Sequence, residues 1–354
     1  MALVPTPRLP RRAGRRTNLG LLALLLVAGS TGVLAFGTGT PLPSRVVAAA
    51  HGAAGLGLVL LVPWKTVVVR RARRREVRLR DPAVALTLGV LVAVAVLTGV
   101  LHTVGLAGPW PAGGGVTALQ VHVGAGIGAG ALLVLHACGS RQAPRRADLG
   151  RRTLLQGAGL GLAAAALWGV GEAVLRLTGA PGGRRHVTGS HERGTDEPAA
   201  MPVTQWISDA VPESAHDAVE LTAAGRRARV PVAELDRGDT VRAVLDCTGG
   251  WFAAQHWRGV RLDRLLTEHL PGPLPPDGSV DVVSVTGYRR RLPLRDASHL
   301  LLATSAAGRP LSAGHGAPVR LVAPGRRGFW WVKWVTRIDV VDAPWWLQPP
   351  FPLQ

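Results

Sequence analysis

Five apolar runs, each close to the length of a bilayer-crossing helix, constrain this chain more than any other feature. They fall at Leu19–Gly37, Val46–Val62, Ala83–Leu106, Val116–Cys138 and Leu154–Leu175. A helix needs about 20 residues to cross the hydrocarbon core, so each run is a candidate span. The first is too long and too poorly bounded for a cleaved signal peptide, and more spans follow it. The chain is 47% hydrophobic yet carries a formal charge of +19. Those values suit apolar residues gathered in a membrane and basic residues gathered in the loops between spans. Nucleic-acid binding is not expected, because the arginines flank apolar runs instead of interleaving with aromatics on a soluble module.

The loop charges set an orientation. Arg8, Arg11, Arg12, Arg15 and Arg16 precede the first run. Lys65, Arg70, Arg71, Arg73, Arg74, Arg75, Arg78 and Arg80 follow the second, and Arg141, Arg145, Arg146, Arg151 and Arg152 follow the fourth. The alternate loops, Thr38–Arg45 and Ala107–Gly115, hold only Arg45. By the positive-inside rule the N-terminus is expected in the cytoplasm and the C-terminal part outside it. Arg151 and Arg152 stand before a span rich in Gly and Ala. They read equally as further inside charges or as an internal twin-arginine export signal.

The expected organisation is a five-span helical membrane domain over residues 1–178, a linker with a first loop over 179–199, and a soluble domain over 200–354. That last segment alternates apolar and polar residues in short runs, at Asp281–Tyr288, Pro318–Val322 and Trp331–Val335. Such alternation, punctuated by Gly and Pro, predicts strands. Leu262–Leu270 is a short helical candidate, which makes the soluble domain α+β. The two cysteines, Cys138 and Cys247, cannot build a disulfide framework. Cys247 is therefore free either for chemistry or for burial as a structural thiol.

The segment Leu245-Asp-Cys-Thr-Gly-Gly-Trp251, with Gln255-His-Trp-Arg-Gly-Val-Arg-Leu262 after it, resembles the molybdenum-ligand region of the sulfite oxidase family. Thr304–Pro324, containing Gly-Arg-Pro-Leu and His-Gly-Ala-Pro-Val-Arg-Leu, resembles the family's cofactor-wrapping stretch, and Gly328–Ile338 its Lys-Trp segment. The resemblance runs through residues 185–354. It implies a Mo-molybdopterin cofactor with Cys247 as metal ligand, since soft thiolate suits a metal cycling through high oxidation states. It also implies that His315 and Arg320 hold the cofactor's polar edge or phosphate, and that Lys333 with the Trp331–Val332 backbone completes the clamp. Ser284, Thr286 and Tyr288 would share one strand face near the cofactor. Thr188–Glu192 is similar to the first cofactor loop, which adds Ser190 and His191. Tyr288 and Arg258, with Arg289-Arg-Arg291, are candidates to favour a small anion near the metal. The chain ends soon after the Lys-Trp segment, without the immunoglobulin-like domain of animal and plant members. In outline it is closer to the bacterial periplasmic methionine-sulfoxide reductase catalytic subunit.

This resemblance implies a membrane-anchored oxidoreductase that transfers an oxygen atom to or from a small oxyanion or sulfoxide, with a quinone or redox protein as electron partner. The alternative is a non-catalytic membrane protein that keeps the fold to bind a ligand or partner. Within the spans, His51, His102 and His122 lie at one expected depth near the outer face, and ionisable residues there are functional candidates. They would offer the two axial imidazoles of a single haem b. His136 has no histidine at its own depth to pair with.

Overall fold

The computed structural model describes residues 14–39, 41–74, 82–106, 108–109, 115–139, 148, 150–206, 209–213 and 216–352. Several basic residues used in the orientation argument (Arg8, Arg11, Arg12, Arg75, Arg78, Arg80, Arg141, Arg145 and Arg146) lie outside these. The chain divides into two compact units, one carrying nearly all of the five long helices and running on to Gly189, the other made of Phe36–Pro41 and the chain from Ser190 onward.

The helices of the first unit are α1 (Arg15–Gly37), α2 (Pro41–Arg74), α3 (Pro82–Val104), α4 (Ala118–Gly139) and α5 (Arg151–Leu177). All five are long and apolar enough to cross a membrane. α1, α2 and α5 contain their expected runs whole; α3 stops at Val104, short of Leu106, and α4 starts at Ala118, after Val116, while α2 continues through Pro63 well beyond Val62. Large side chains point outward: Leu86 is 71% exposed and Ile127 70%. Such surface is costly in water and suits a lipid surround. Small residues let the helices approach. A Cβ on Gly52 would stand 2.2 Å from the Trp168 ring, so glycine is required where α2 meets α5. Arg15, at the start of α1, pairs with Asp148 ahead of α5 at 2.8 Å, which places those two helix starts at the same end of the unit.

The second unit holds two sheets. Its strands are β1 (His191–Glu192), β2 (Ala218–Ala223), β3 (Arg226–Pro231), β4 (Asp239–Asp246), β5 (Trp251–Arg261) and β6 (Ser279–Ser284). After these come β7 (Arg289–Pro293), β8 (Leu301–Ala306), β9 (Arg309–Pro310), β10 (Arg320–Val322) and β11 (Val335–Val341). One sheet has the order β1-β5-β8-β10, with β4 also pairing β5 and β9 also pairing β8; the other runs β3-β2-β11-β6-β7. The core lies along their apolar faces. It includes Trp257, Leu221, Leu292, Leu301 and Leu302, all essentially without solvent exposure. Helix α6 (Leu262–His269) presents Leu262, Leu265 and Leu266 to that core, the i, i+3, i+4 stripe of an amphipathic helix.

Two expected strands end differently. β6 stops at Ser284, and Thr286 lies in the turn that follows, so Ser284, Thr286 and Tyr288 do not share a strand face. Trp331–Trp334 is not a strand either; β11 starts only at Val335. Trp334 adopts φ +50, a left-handed conformation incompatible with extended pairing. The alternation of Trp, Val and Lys there mimics a strand that the backbone does not make.

β5 and β8 approach closely at Gly259, where their register shifts. A Cβ at Gly259 would stand 1.9 Å from the Leu302 carbonyl oxygen. Gly259→Ala is expected to cost about 3 kcal/mol, the upper end for overpacking, because backbone atoms cannot step aside as a side chain would. A lowered midpoint of thermal unfolding for the second unit is the readout.

Candidate active site

A cleft opens in the second unit, with Cys247 on its wall. β4 ends at Asp246, and a tight turn through Thr248-Gly-Gly leads into β5. The Cys247 N–H donates to the Trp251 carbonyl at 2.9 Å and its carbonyl accepts from Gly250 N–H at 3.1 Å. Gly250 has φ +86, which explains the glycine at that corner. The Gly249 N–H points to the Cys247 Sγ at 3.3 Å. Burial raises the thiol pKa, while the Gly249 N–H, Arg327, Thr204 and Lys333 work in the opposite direction.

Two cations line the same cleft. Arg320 opens β10 and is 1% exposed, with its Nη1 donating to the His315 carbonyl at 2.9 Å. The rings of Trp257 and Trp331 lie 5.1 and 5.6 Å from its guanidinium carbon. Its Nε has no acceptor, and burial lowers the group to about 10. Lys333 spends its ammonium on neutral oxygens: Thr204 O at 2.9 Å, Gln205 Oε1 at 3.1 Å and Gly314 O at 2.6 Å. Burial, then the nearby Arg320, brings it from 10.5 down to about 7. Its hydrogen-bond partners are all neutral, and the Asp209 carboxylate acts on it only through space, too weakly to offset burial.

His315 sits between the two cations. Its Nδ1 pairs with Ser312 Oγ at 2.8 Å, and its Nε2 makes no hydrogen bond. Burial, then Arg320 and Lys333, lower its pKa, so it is held neutral. Gly316, at φ +105, permits this packing: a Cβ there would stand 3.0 Å from that of Arg320 and 3.1 Å from that of Lys333. The carboxylate on the cleft wall is Asp209. Burial raises its pKa, against the Thr286 hydroxyl and Lys333.

Of the residues expected at the site, Cys247, Ser284, Tyr288, His315, Arg320, Trp331 and Lys333 line the cleft. Tyr288 is buried, donates its hydroxyl proton to the Phe329 carbonyl, and has its pKa raised by burial. The others stand elsewhere. Arg258 is on the solvent side of β5 with its Nε on Asp236 at 2.7 Å, because its neighbours Trp257 and Gly259 take the buried face. Thr286 is exposed and donates to Ser284 Oγ at 3.1 Å. Val332 is buried behind the wall and its carbonyl accepts from Leu321 N–H. Ser190 turns its hydroxyl to Asp246, and His191 starts β1 opposite Trp251. Arg289, Arg290 and Arg291 line a separate recess, with Arg290 stacked 4.2 Å over Trp330 and Arg291 paired with Asp281 at 3.1 Å.

Thr204, Gln205, Trp206 and Asp209 also line the cleft, and no motif in the sequence marks any of the four. They sit in an irregular stretch with no periodicity. The only local signal was a Thr-Gln-Trp cluster just past the linker. The Nε2 of Gln205 is a further buried donor without an acceptor.

In the helical unit, His51 and His122 face each other with Nε2 atoms 3.4 Å apart. Each Nδ1 meets a backbone carbonyl, Ala28 for His51 at 3.0 Å and Ala95 for His122 at 2.7 Å. Gly32 and Gly99 leave room for these rings; a Cβ on either would lie 3.3 and 3.0 Å from the respective imidazole. His102 does not join them, because its Nε2 is on the Gly189 carbonyl at 3.1 Å.

Residues 210–346 match the family described as the oxidoreductase molybdopterin binding domain. The sheet-rich unit is accordingly a molybdopterin-binding domain of oxidoreductase type. Among solved structures, the chain is similar to the sulfane dehydrogenase SoxCD from Paracoccus pantotrophus. That match has 25% identity and a TM-score of 0.33, and covers 36% of this chain and 38% of that one. Thr204, Gln205 and Trp206 precede the family-matched segment.

The lowered Lys333 gives a pH signature to the cofactor-free protein. The unfolded chain binds this proton below about 10.5, the folded chain only below about 7. Unfolding therefore takes up a proton between those values, and stability rises with pH across that window. Melting temperatures of cofactor-free protein at rising pH should show the increase, and Lys333→Met should flatten it.

Proposed function

We propose that this chain is a membrane-anchored molybdopterin-dependent oxidoreductase with Cys247 as the molybdenum ligand. One observation carries the reading. Arg320, Lys333, His315 and Gln205 bring two short-changed cations and several idle donors to a cleft that also presents a free thiol. Buried donors without acceptors are rare in native folds and imply an absent partner. An anionic, phosphate-bearing cofactor supplies what is missing. A planar guanidinium offers it paired donors, and lysine adds a point charge.

When bound, molybdenum on the pterin supplies oxygen-atom transfer coupled to a two-electron change. The chain's own residues bind, orient and exclude water. Arg320 and Lys333 would hold the anionic part of the cofactor, with His315, kept neutral, accepting or donating at its polar edge. Trp251, Trp331 and Trp334 wall the cleft with apolar surface. Tyr288 keeps its proton on the Phe329 carbonyl, so it offers an approaching substrate only an acceptor oxygen unless that bond opens. The substrate class is a small oxyanion or a sulfoxide, in outline like the methionine-sulfoxide reductase subunit.

Electrons would be exchanged through the helical unit with a quinone or redox protein. His51 and His122 are the pair suited to a haem b there: a carbonyl on each Nδ1 holds the proton on that side and leaves Nε2 as the ligand atom. His102 is left out of the pair. The arginine-rich loops support a cytoplasmic N-terminus and an extracytoplasmic active site.

Full-length protein from a cofactor-competent host should contain stoichiometric molybdenum, reduced in Arg320→Ala, and turnover should vanish in Cys247→Ser. A metal-free parental chain would instead support a binding protein that only retains the fold. Purified membranes should show a b-type absorbance that disappears in His51→Ala and His122→Ala and survives in His102→Ala; a colourless, molybdenum-loaded preparation would remove the haem. Screening sulfite and organic sulfoxides with dyes in both directions identifies the substrate.

A further inference from the structure

Behind the cysteine, outside the cleft, lies a buried charge cluster for which the reaction has no direct use. Asp246 precedes Cys247 at the end of β4 and is 5% exposed; Arg327 is 4% exposed. Arg327 Nη1 stands 2.7 Å from Asp246 Oδ1. The contact is close but off-axis, an ionic approach and not an aligned hydrogen bond. The aligned bond comes from Ser190, whose buried hydroxyl donates to the same oxygen at 2.6 Å. Arg327 reaches further, to the Cys247 carbonyl at 3.4 Å through Nη2. The backbones of Asp246 and Arg327 are also bridged. At the next residue, a Cβ on Gly328 would stand 3.1 Å from the Cys247 Cα, so this strand end and the Arg327–Gly328 segment pack main chain on main chain.

Three segments thus meet at this strand end: Ser190 on the Asp246 carboxylate, and Arg327 on both that carboxylate and the Cys247 carbonyl. Neither Asp246, Arg327 nor Ser190 lines the cleft. Burying a carboxylate and a guanidinium is expensive, and a hydrophobic pair would often be at least as stable. What the ionic cluster gives is direction. It fixes where the strand stops and how the Cys247 peptide is turned, which sets the line along which the sulfur leaves the wall.

We propose that Asp246, Arg327 and Ser190 form a positioning device for the metal ligand, holding the Cys247 backbone so that its sulfur meets the metal at one fixed angle. The inference rests on Cys247 being the ligand. Outer residues that orient a metal ligand typically alter activity about 10- to 100-fold without contacting the metal.

The test uses full-length, molybdenum-loaded protein and two mild variants. Ser190→Ala removes the aligned bond to Asp246. Arg327→Lys keeps a charge near Asp246 but loses the planar fork that also reaches the Cys247 carbonyl. Molybdenum content, melting temperature, the electron paramagnetic resonance spectrum of the half-reduced metal, kcat and KM are read together. The expected result is a spectrum shifted from the parental one at parental metal content, with kcat about tenfold lower in Arg327→Lys and KM little changed. Two results overturn it: loaded variants with the parental spectrum and kcat, or variants whose loss of activity only tracks loss of fold or metal. Should Arg327→Lys fail to fold, Ser190→Ala decides by the same spectrum. A parental chain without molybdenum would sink the ligand assignment itself and this inference with it, whereas a parental signal that the variants leave unmoved sinks the inference alone.

Discussion

The second unit is organised around two cations, Arg320 and Lys333, kept out of water with no carboxylate bonded to either among the described residues. Arg320 is enclosed by two tryptophan rings and reaches only a carbonyl, and the Lys333 ammonium is held by three neutral oxygens. Left like this, both groups weigh against the folded state, since desolvation of a cation is repaid only by a good partner. The sheets tolerate it because a large apolar core surrounds them, including fully buried Trp257 and the leucines of α6 and β8. An anion entering the cleft would relieve both cations together. Ligand binding and stability are then two views of one electrostatic debt.

Much of this was legible in the sequence, for reasons that can be named. The five long helices were readable because their runs are long, apolar and nearly free of charge. Cys247, His315, Arg320 and Lys333, named from their motifs, do meet in one cleft, with Gly316 packed against Arg320 and Lys333. Alternation of apolar and polar residues does not by itself make a strand. Trp331–Val335 has the right pattern, but Trp334 turns left-handed and diverts the chain before β11. Arg258 failed for the opposite reason: it does lie in a strand, and period-two geometry then sends it to the side away from Trp257.

The residues missed altogether share another property. Thr204, Gln205 and Asp209 act from irregular backbone, where no periodicity advertises a role, and Asp246 and Arg327 matter only through each other. A pairing between distant positions cannot be read from one chain without knowing how β4 and the segment after β10 come together. In the helices the same limit applied to depth: three histidines seemed equivalent by position, and only their partners separate His102 from the facing pair.

The wall built by Thr204–Trp206 changes what counts as the smallest working piece of this protein. The family-matched region begins at residue 210, yet two of the three oxygens that hold Lys333 come from Thr204 and Gln205. The partner of Asp246 lies earlier still, at Ser190, next to the strand that β1 adds to β5. The stretch that looks like a tether after the last helix is therefore part of the catalytic unit. A fusion that kept these bonds would have to place its join upstream of Ser190.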